Sequence, residues 1–213
     1  INYNEEDEDL KQVVEASENQ IRKIPYHTPE YTVEDGETLL ETPEGPMPIE
    51  IFGAHNLNNL AGAKWICQHM GIDEEDFYEA IATFSGASKR LEKISDIRGT
   101  LAFKDFAHSP SKVRATTEAV KQQYPEKDLV ACLELHTYSS LNAEFLQQYK
   151  DSLAAADKAI VFYSPEAVQL KKLQEIDTKQ IEDAFQHKNL KVYTNPQLFQ
   201  EYLKTRAFTK VPS

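Results

Sequence analysis

Cysteine is scarce in this 213-residue chain, and its two copies exclude more than they suggest. Cys67 and Cys132 are far apart, form no C-x-x-C and have apolar neighbours, so they are expected as small buried hydrophobes rather than a disulfide or metal site. That usage fits a reducing cytoplasm. Positive charge is also short: 23 Lys and Arg against 35 Asp and Glu leave a formal net charge of −12. No basic patch offsets it, which argues against a nucleic acid or an anionic membrane surface as partner. No apolar run approaches the ~18 residues of a membrane span, and nothing at the start resembles a signal peptide. Internal repeats, low-complexity tracts and Gly/Ser linkers are missing too. So is any G-x-x-x-x-G-K-[ST] loop, the phosphate-cradling turn of many nucleotide-binding proteins.

What is present is enough apolar residue, 40%, for one large or two small cores. Asn4 with Glu5, Glu6 and Asp7 predicts a capped helix running to about Ser17. A strand over 21–26 and β segments over 31–33, 38–41 and 47–52 follow. Asp35-Gly36 and Pro43-Glu44-Gly45-Pro46 punctuate them, so an antiparallel meander is expected. Helices over 56–70 and 74–84 come next, the second burying Phe77, Ile81 and Phe84. The polar stretch 92–99 reads as a connector, dividing the chain into 1–94 and 95–213. Beyond it, strands over 101–103, 129–133, 158–162 and 190–193 alternate with helices over 111–123, 142–155, 166–173, 179–187 and 196–204. Such alternation predicts an α/β domain: a Rossmann-like, mostly parallel sheet with helices on both faces, here preceded by an α+β region.

Chemistry is best sought where strand 101–103 joins the next helix. Ser109-Pro110 is an N-cap followed by Pro at the first helical position, and Val113, Thr117 and Val120 recur at helical spacing. Asp105 and His108 therefore lie at a strand's carboxyl end, the edge where open α/β sheets bind ligands. His136 follows the next strand in the same way, so both histidines face one crevice if those strands are neighbours. Taken alone, the local pattern also suits plain turn residues. Two histidines and a carboxylate would likewise suffice for a zinc site made of Asp105, His108 and His136.

Three motifs bear on the choice: G-x-H-N-x-x-N-x-x-x-A from Gly53 to Ala63, F-x-G-x-x-x-R-x-E from Phe84 to Glu92, and D-F-A-H-x-P from Asp105 to Pro110. In this order and spacing the chain, from about Ile49 to its end, resembles the Mur ligases, ATP-dependent amide-forming enzymes of peptidoglycan synthesis. The resemblance implies that residues 1–94 are the tail of a central ATPase domain and 95–213 the C-terminal domain. It implies an adenine pocket from His55, Asn56 and Asn59, and nucleotide contact by Arg90. By the same resemblance Asp105 and His108 are catalytic, and Ser109, Lys112 and His136 meet the substrates. Asn56 as a simple helix cap and Arg90 in an ion pair with Glu92 are the structural alternatives. ATP is the implied cofactor, with Mg²⁺ held on its phosphates mainly by earlier parts of a full protein, and no metal is implied at Asp105, His108 and His136.

The implied partners are UDP-N-acetylmuramate and an amine. The family includes a ligase adding L-alanine and a recycling ligase adding the tripeptide L-alanyl-γ-D-glutamyl-meso-diaminopimelate. The A-H-S-P wording and the loop His136-Thr137-Tyr138-Ser139-Ser140 depart from the alanine-adding A-H-H-P and H-R-Y-T-R, which points to the recycling member. With no Arg in that loop, Lys112, Arg114 or a residue elsewhere would have to meet the amine's carboxylate. A non-catalytic α/β nucleotide-binding module is the other class to weigh. The 213-residue chain alone is expected to be inactive, and the resemblance implies one more strand starting at about Val211-Pro212-Ser213.

Overall fold

The computed structural model describes residues 1–205, so the strand implied near residue 211 lies outside the described residues. The chain forms two compact units, Ile1–Ser88 and Lys89–Ser213.

The first unit runs β1 (Asn2–Asn4), α1 (Glu8–Ala16), β2 (Ile24–Tyr26), β3 (Tyr31–Glu34), β4 (Glu37–Thr42), β5 (Gly45–Ile49), α2 (Ala54–His69) and α3 (Glu74–Ala82). The meander forms as expected, β3, β4 and β5 pairing antiparallel in that order. Asp35 and Gly36 close its first hairpin with φ of 51° and 82°, the two positive values a tight primed turn needs. The N-terminal helix is shorter than expected. Asp7, not Asn4, is its cap, accepting from the Leu10 N–H at 2.9 Å, while Asn4 ends a strand paired parallel with β2. Leu40, Ile49, Leu57, Leu60 and Phe77 make the core, with Ile81 packed against it. Phe84 falls beyond the end of α3 and is exposed, against expectation. Gly62 is required by contact: a Cβ there would sit 3.0 Å from the Tyr26 ring, so α2 could not lie this close to β2 with any larger residue.

The second unit runs β6 (Glu92–Ile97), β7 (Thr100–Lys104), α4 (Pro110–Gln123), β8 (Val130–Leu135), α5 (Ala143–Leu146), a 3₁₀ turn (Gln147–Tyr149), β9 (Lys158–Tyr163), α6 (Pro165–Leu170), α7 (Thr178–Phe185), β10 (Leu190–Tyr193) and α8 (Pro196–Thr205). Strands β10, β9 and β8 form a parallel sheet in that order. In register, Val161 sits between Leu133 and Val192, and this row faces a core shared with Val113, Leu146, Tyr149, Val168, Ile181 and Phe185 from the helices. Each fully buried aliphatic or aromatic side chain there contributes roughly 1.5–3 kcal/mol. On the opposite face Phe162 stacks on Phe199 of α8, ring centroids 5.6 Å apart. Helices thus flank the sheet on both sides, as the alternation predicts.

Four expectations are corrected. Residues 92–99 are not a connector: they form β6 and its turn to β7, with Arg98 (φ 52°) and Gly99 (φ 79°) closing a hairpin whose two sequential strands pair locally. For the same reason β7 pairs antiparallel with β6 rather than beside β8. The helix over 142–155 stops early, and Asp151, at φ 60°, takes a conformation no helix continues through. Cys132 is exposed and Cys67 half-buried: strand alternation gives the core face of β8 to Leu133 and Leu135 and turns Cys132 outward. Among the described residues, no helix is long and apolar enough to cross a membrane.

Candidate functional site

The turn between β7 and α4 is built around Asp105. One carboxylate oxygen accepts from the Ala107 N–H at 2.5 Å, folding the turn on itself, and the other accepts from the Leu91 N–H at 2.6 Å. Leu91 is buried and held at φ 51°, so this second bond pins a left-handed residue to the turn. Asp105 is thus half-buried with each oxygen bonded to a backbone amide.

His108 follows. Its Nδ1 lies 2.9 Å from the Phe106 carbonyl, which can only accept, so Nδ1 carries a hydrogen and, in the neutral ring, Nε2 has the lone pair. The ring stands 5.2 Å from Phe106 and 6.3 Å from His136, centroid to centroid. The two histidines expected to share a crevice therefore do meet, although β7 and β8 are not paired strands. A link that the sequence does not announce helps to hold His108: Tyr149, wholly buried and stacked on Phe185, donates its hydroxyl to the His108 carbonyl at 2.5 Å. Burial pushes the Tyr149 phenol up to about 12, so it remains a donor.

Ser109 occupies the cap position of α4 and Pro110 the first turn, as expected. Its hydroxyl makes no cap bond, however; its carbonyl accepts from the Val113 N–H at 2.9 Å. Lys112 is exposed on the first turn of α4. Arg114 is tied to the Lys150 carbonyl at 3.0 Å. Arg90 does not simply pair with Glu92: its guanidinium lies 6.0 Å above the Phe106 ring, while Glu92 accepts from the Lys89 N–H at 2.8 Å. The second unit thus gathers Arg90, Asp105, His108, Ser109 and His136 around one turn.

The loop after β8 closes differently. Thr137 and Ser140 exchange backbone-to-hydroxyl bonds, each 3.0 Å, which locks the loop and leaves His136 and Tyr138 exposed. Lys171, at the end of α6, holds its ammonium 4.2 Å from the Tyr138 ring centroid.

In the first unit, His55 and Asn59 lie four residues apart on one face of α2, half-buried and exposed respectively. Asn56 donates to the Phe52 carbonyl at 2.9 Å, bracing the entry to the helix. The asparagine that the sequence reading missed is Asn58. It is buried and its amide nitrogen lies 2.9 Å from Glu6 and 3.2 Å from both Asn4 and Thr28, tying α2 to the start of the chain. Its only signal was Leu57 and Leu60 on either side, which place it beside the buried stripe.

An α/β unit with a parallel sheet, and with its histidines gathered where a turn and a strand end meet, belongs to the class of domains that bind ligands at that edge. The chain belongs to a family of that class: the family model described as "Mur ligase, glutamate ligase domain" matches residues 89–207, starting where the second unit starts. A UDP-N-acetylmuramate–L-alanine ligase from Limosilactobacillus reuteri is 38% identical over 119 residues, 55% of this chain and 26% of that protein. Among solved structures, MurF from Acinetobacter baumannii matches with a TM-score of 0.68 at 15% identity, over 96% of this chain and 46% of that one. The UDP-N-acetylmuramate-alanine ligase of Thermotoga maritima matches with a TM-score of 0.60 at 16% identity, over 86% and 39%. The chain thus spans less than half of each protein, and the two structural likenesses concern the fold.

Proposed function

We propose that this chain is part of an ATP-dependent ligase that joins an amine to the carboxylate of UDP-N-acetylmuramate in the cytoplasm, by way of an acyl phosphate. The first unit is the tail of its central ATPase domain and the second its C-terminal domain. Family membership across residues 89–207 supports this, and the meeting of His108 with His136 is the observation that carries it. ATP fits the α2 face: an Asn carboxamide offers donor and acceptor to a base edge, and Asn59 and His55 stand exposed or half-exposed to do so. Asn56 braces the helix beneath them. ATP supplies the phosphoryl group that activates the carboxylate.

His108 is the group suited to take a proton from the attacking amine, because Nε2 is the nitrogen that has the lone pair in its neutral ring. Asp105 positions it through the turn. Mg²⁺ is assigned to the phosphates and to residues elsewhere in a full protein, as the resemblance implies. Ser109, Lys112 and His136 form the rim that meets the substrates.

The amine is the tripeptide L-alanyl-γ-D-glutamyl-meso-diaminopimelate, on the strength of the Arg-free loop His136–Ser140. The relative's name favours L-alanine as a second reading. Phosphate release by the full-length protein, with UDP-N-acetylmuramate and either amine, separates them. Turnover with the tripeptide is expected; turnover with L-alanine alone selects the second reading. Release with neither means a non-catalytic nucleotide-binding module. The 213-residue chain by itself is expected to release none, since it has no G-x-x-x-x-G-K-[ST] loop and phosphoryl transfer depends on charge placed around the phosphates.

A further inference from the structure

We infer that Tyr149 is a positioning residue: its buried hydroxyl, acting through the His108 carbonyl, sets where the His108 ring stands against His136, an inference that rests on the ligase reading above. The two histidines come from different elements. β7, which leads to His108, is paired with β6, and β8, which leads to His136, is paired with β9. No ladder of strand hydrogen bonds between β7 and β8 therefore fixes the 6.3 Å between the two rings.

A second route does fix it. From His136 onward the chain is bonded at each stage: Leu141 and Asn142 donate N–H groups to the Thr137 and Ser139 carbonyls at 3.2 and 3.0 Å, and Leu146 donates to the Asn142 carbonyl at 3.0 Å. Leu141, Leu146 and Tyr149 are buried along this path. The Tyr149 ring is gripped on two sides, stacked on Phe185 at 5.0 Å and edge-on to Phe145 at 6.1 Å, so its hydroxyl is aimed at one place. That place is the His108 carbonyl. His108 is thus held twice, by Tyr149 at its own carbonyl and by the Phe106 carbonyl at its ring. Tyr149 has no exposed surface with which to touch a substrate, so its effect on turnover passes through His108. Position matters at such a group, since a misplacement of about 1 Å can cost on the order of 10²-fold in rate.

The experiment uses the full-length protein with whichever of the two amines it turns over. Tyr149→Phe keeps the ring and removes the hydroxyl; it should lower kcat about ten-fold, the scale of one hydrogen bond, and leave KM for ATP within two-fold. Nitrogen NMR of the neutral His108 ring should show the hydrogen on Nδ1 in the wild type and shared between Nδ1 and Nε2 in the variant, as the Phe106 contact loosens. Phe185→Leu, which loosens the stack but keeps the hydroxyl, should make both changes in smaller measure. Thr117→Val is the control for packing: its buried hydroxyl lies 3.0 Å from the Val113 carbonyl and 3.2 Å from the Ser152 carbonyl, close to the same stretch but away from His108. It should lower the melting temperature comparably and keep kcat within two-fold. A Tyr149→Phe variant that behaves like Thr117→Val overturns the inference, as does a fall in kcat with unchanged His108 ring signals. A wild type that turns over neither amine overturns the ligase reading instead, and the ring signals, which need no turnover, then decide whether Tyr149 sets His108.

Discussion

The β7–α4 turn and the loop after β8 each carry a histidine at the same edge of the second unit, yet they use their polar groups in opposite ways. In the turn, Asp105 and the His108 backbone are consumed in holding the structure, through Leu91, Ala107 and Tyr149. In the loop, the Thr137 and Ser140 hydroxyls, one near each end, do the holding, and His136 and Tyr138 are left exposed. Residue type therefore does not separate scaffold from ligand-facing group. What separates them is how much of a side chain the backbone has claimed: both Asp105 oxygens are taken, whereas His108 and His136 each give one ring nitrogen, to the Phe106 and Glu134 carbonyls, and keep the other.

The sharpest way to break this contrast is Tyr149→Ala. It removes a wholly buried ring stacked on Phe185 together with the bond to His108, and should destabilise the second unit by about 3–5 kcal/mol in denaturant unfolding. A loss under 1 kcal/mol would mean that the turn is not anchored from beneath.

Alkaline titration probes the same anchor without a mutation. Tyr149 ionises near 10 when unfolded and at about 12 when folded, so the unfolded state loses its proton first. Its contribution, on the order of 2–3 kcal/mol, is complete below pH 10 and disappears as pH rises from 10 to 12. Tyr149→Phe should flatten that part of the stability profile; an identical slope in both proteins would assign it to other groups.

Asp105→Ala comes next, with an expected loss of about 1–3 kcal/mol from two unpaired backbone N–H groups. On the proposed ligase reading, turnover of the full-length protein should fall as well, since His108 loses its support. If the variant melts with wild type, Asp105 is free to act on substrate directly and the contrast between the two loops collapses.

The smallest effects lie in the loop itself. Ser140→Ala should cost about 1–2 kcal/mol, because Ser140 is buried and bonded to Thr137, whereas His136→Ala should stay within about 0.5 kcal/mol of wild type. Thermal melts of the pair check this. A His136→Ala variant as unstable as Ser140→Ala would make His136 structural.

Much of the architecture was legible because it is written in local patterns. The two-residue turn at Asp35-Gly36, the Gly71 stop just past α2 and the Ser109-Pro110 start of α4 each involve residues within a few positions of one another. The helix over 142–155 misled for the complementary reason: its composition is helical, and only packing shows that the chain turns at Lys150 and Asp151. Cys132 misled because an apolar neighbourhood in sequence says nothing of which face of a strand a residue occupies.

By itself, the sequence determined the alternation that makes a parallel sheet, the motifs that mark the family, and the placing of Asp105, His108 and His136 at strand ends. Periodicity, capping and spacing are short-range properties, so one dimension suffices for them. Only the tertiary structure decided that Asp105 spends its oxygens on Leu91 and Ala107, that Asn58 rather than Asn59 is buried, and that Tyr149 reaches His108 across 41 positions. It alone brought Lys171 over Tyr138. A hydrogen-bond partner is chosen by what folding brings within about 3 Å, and no local pattern encodes that distance.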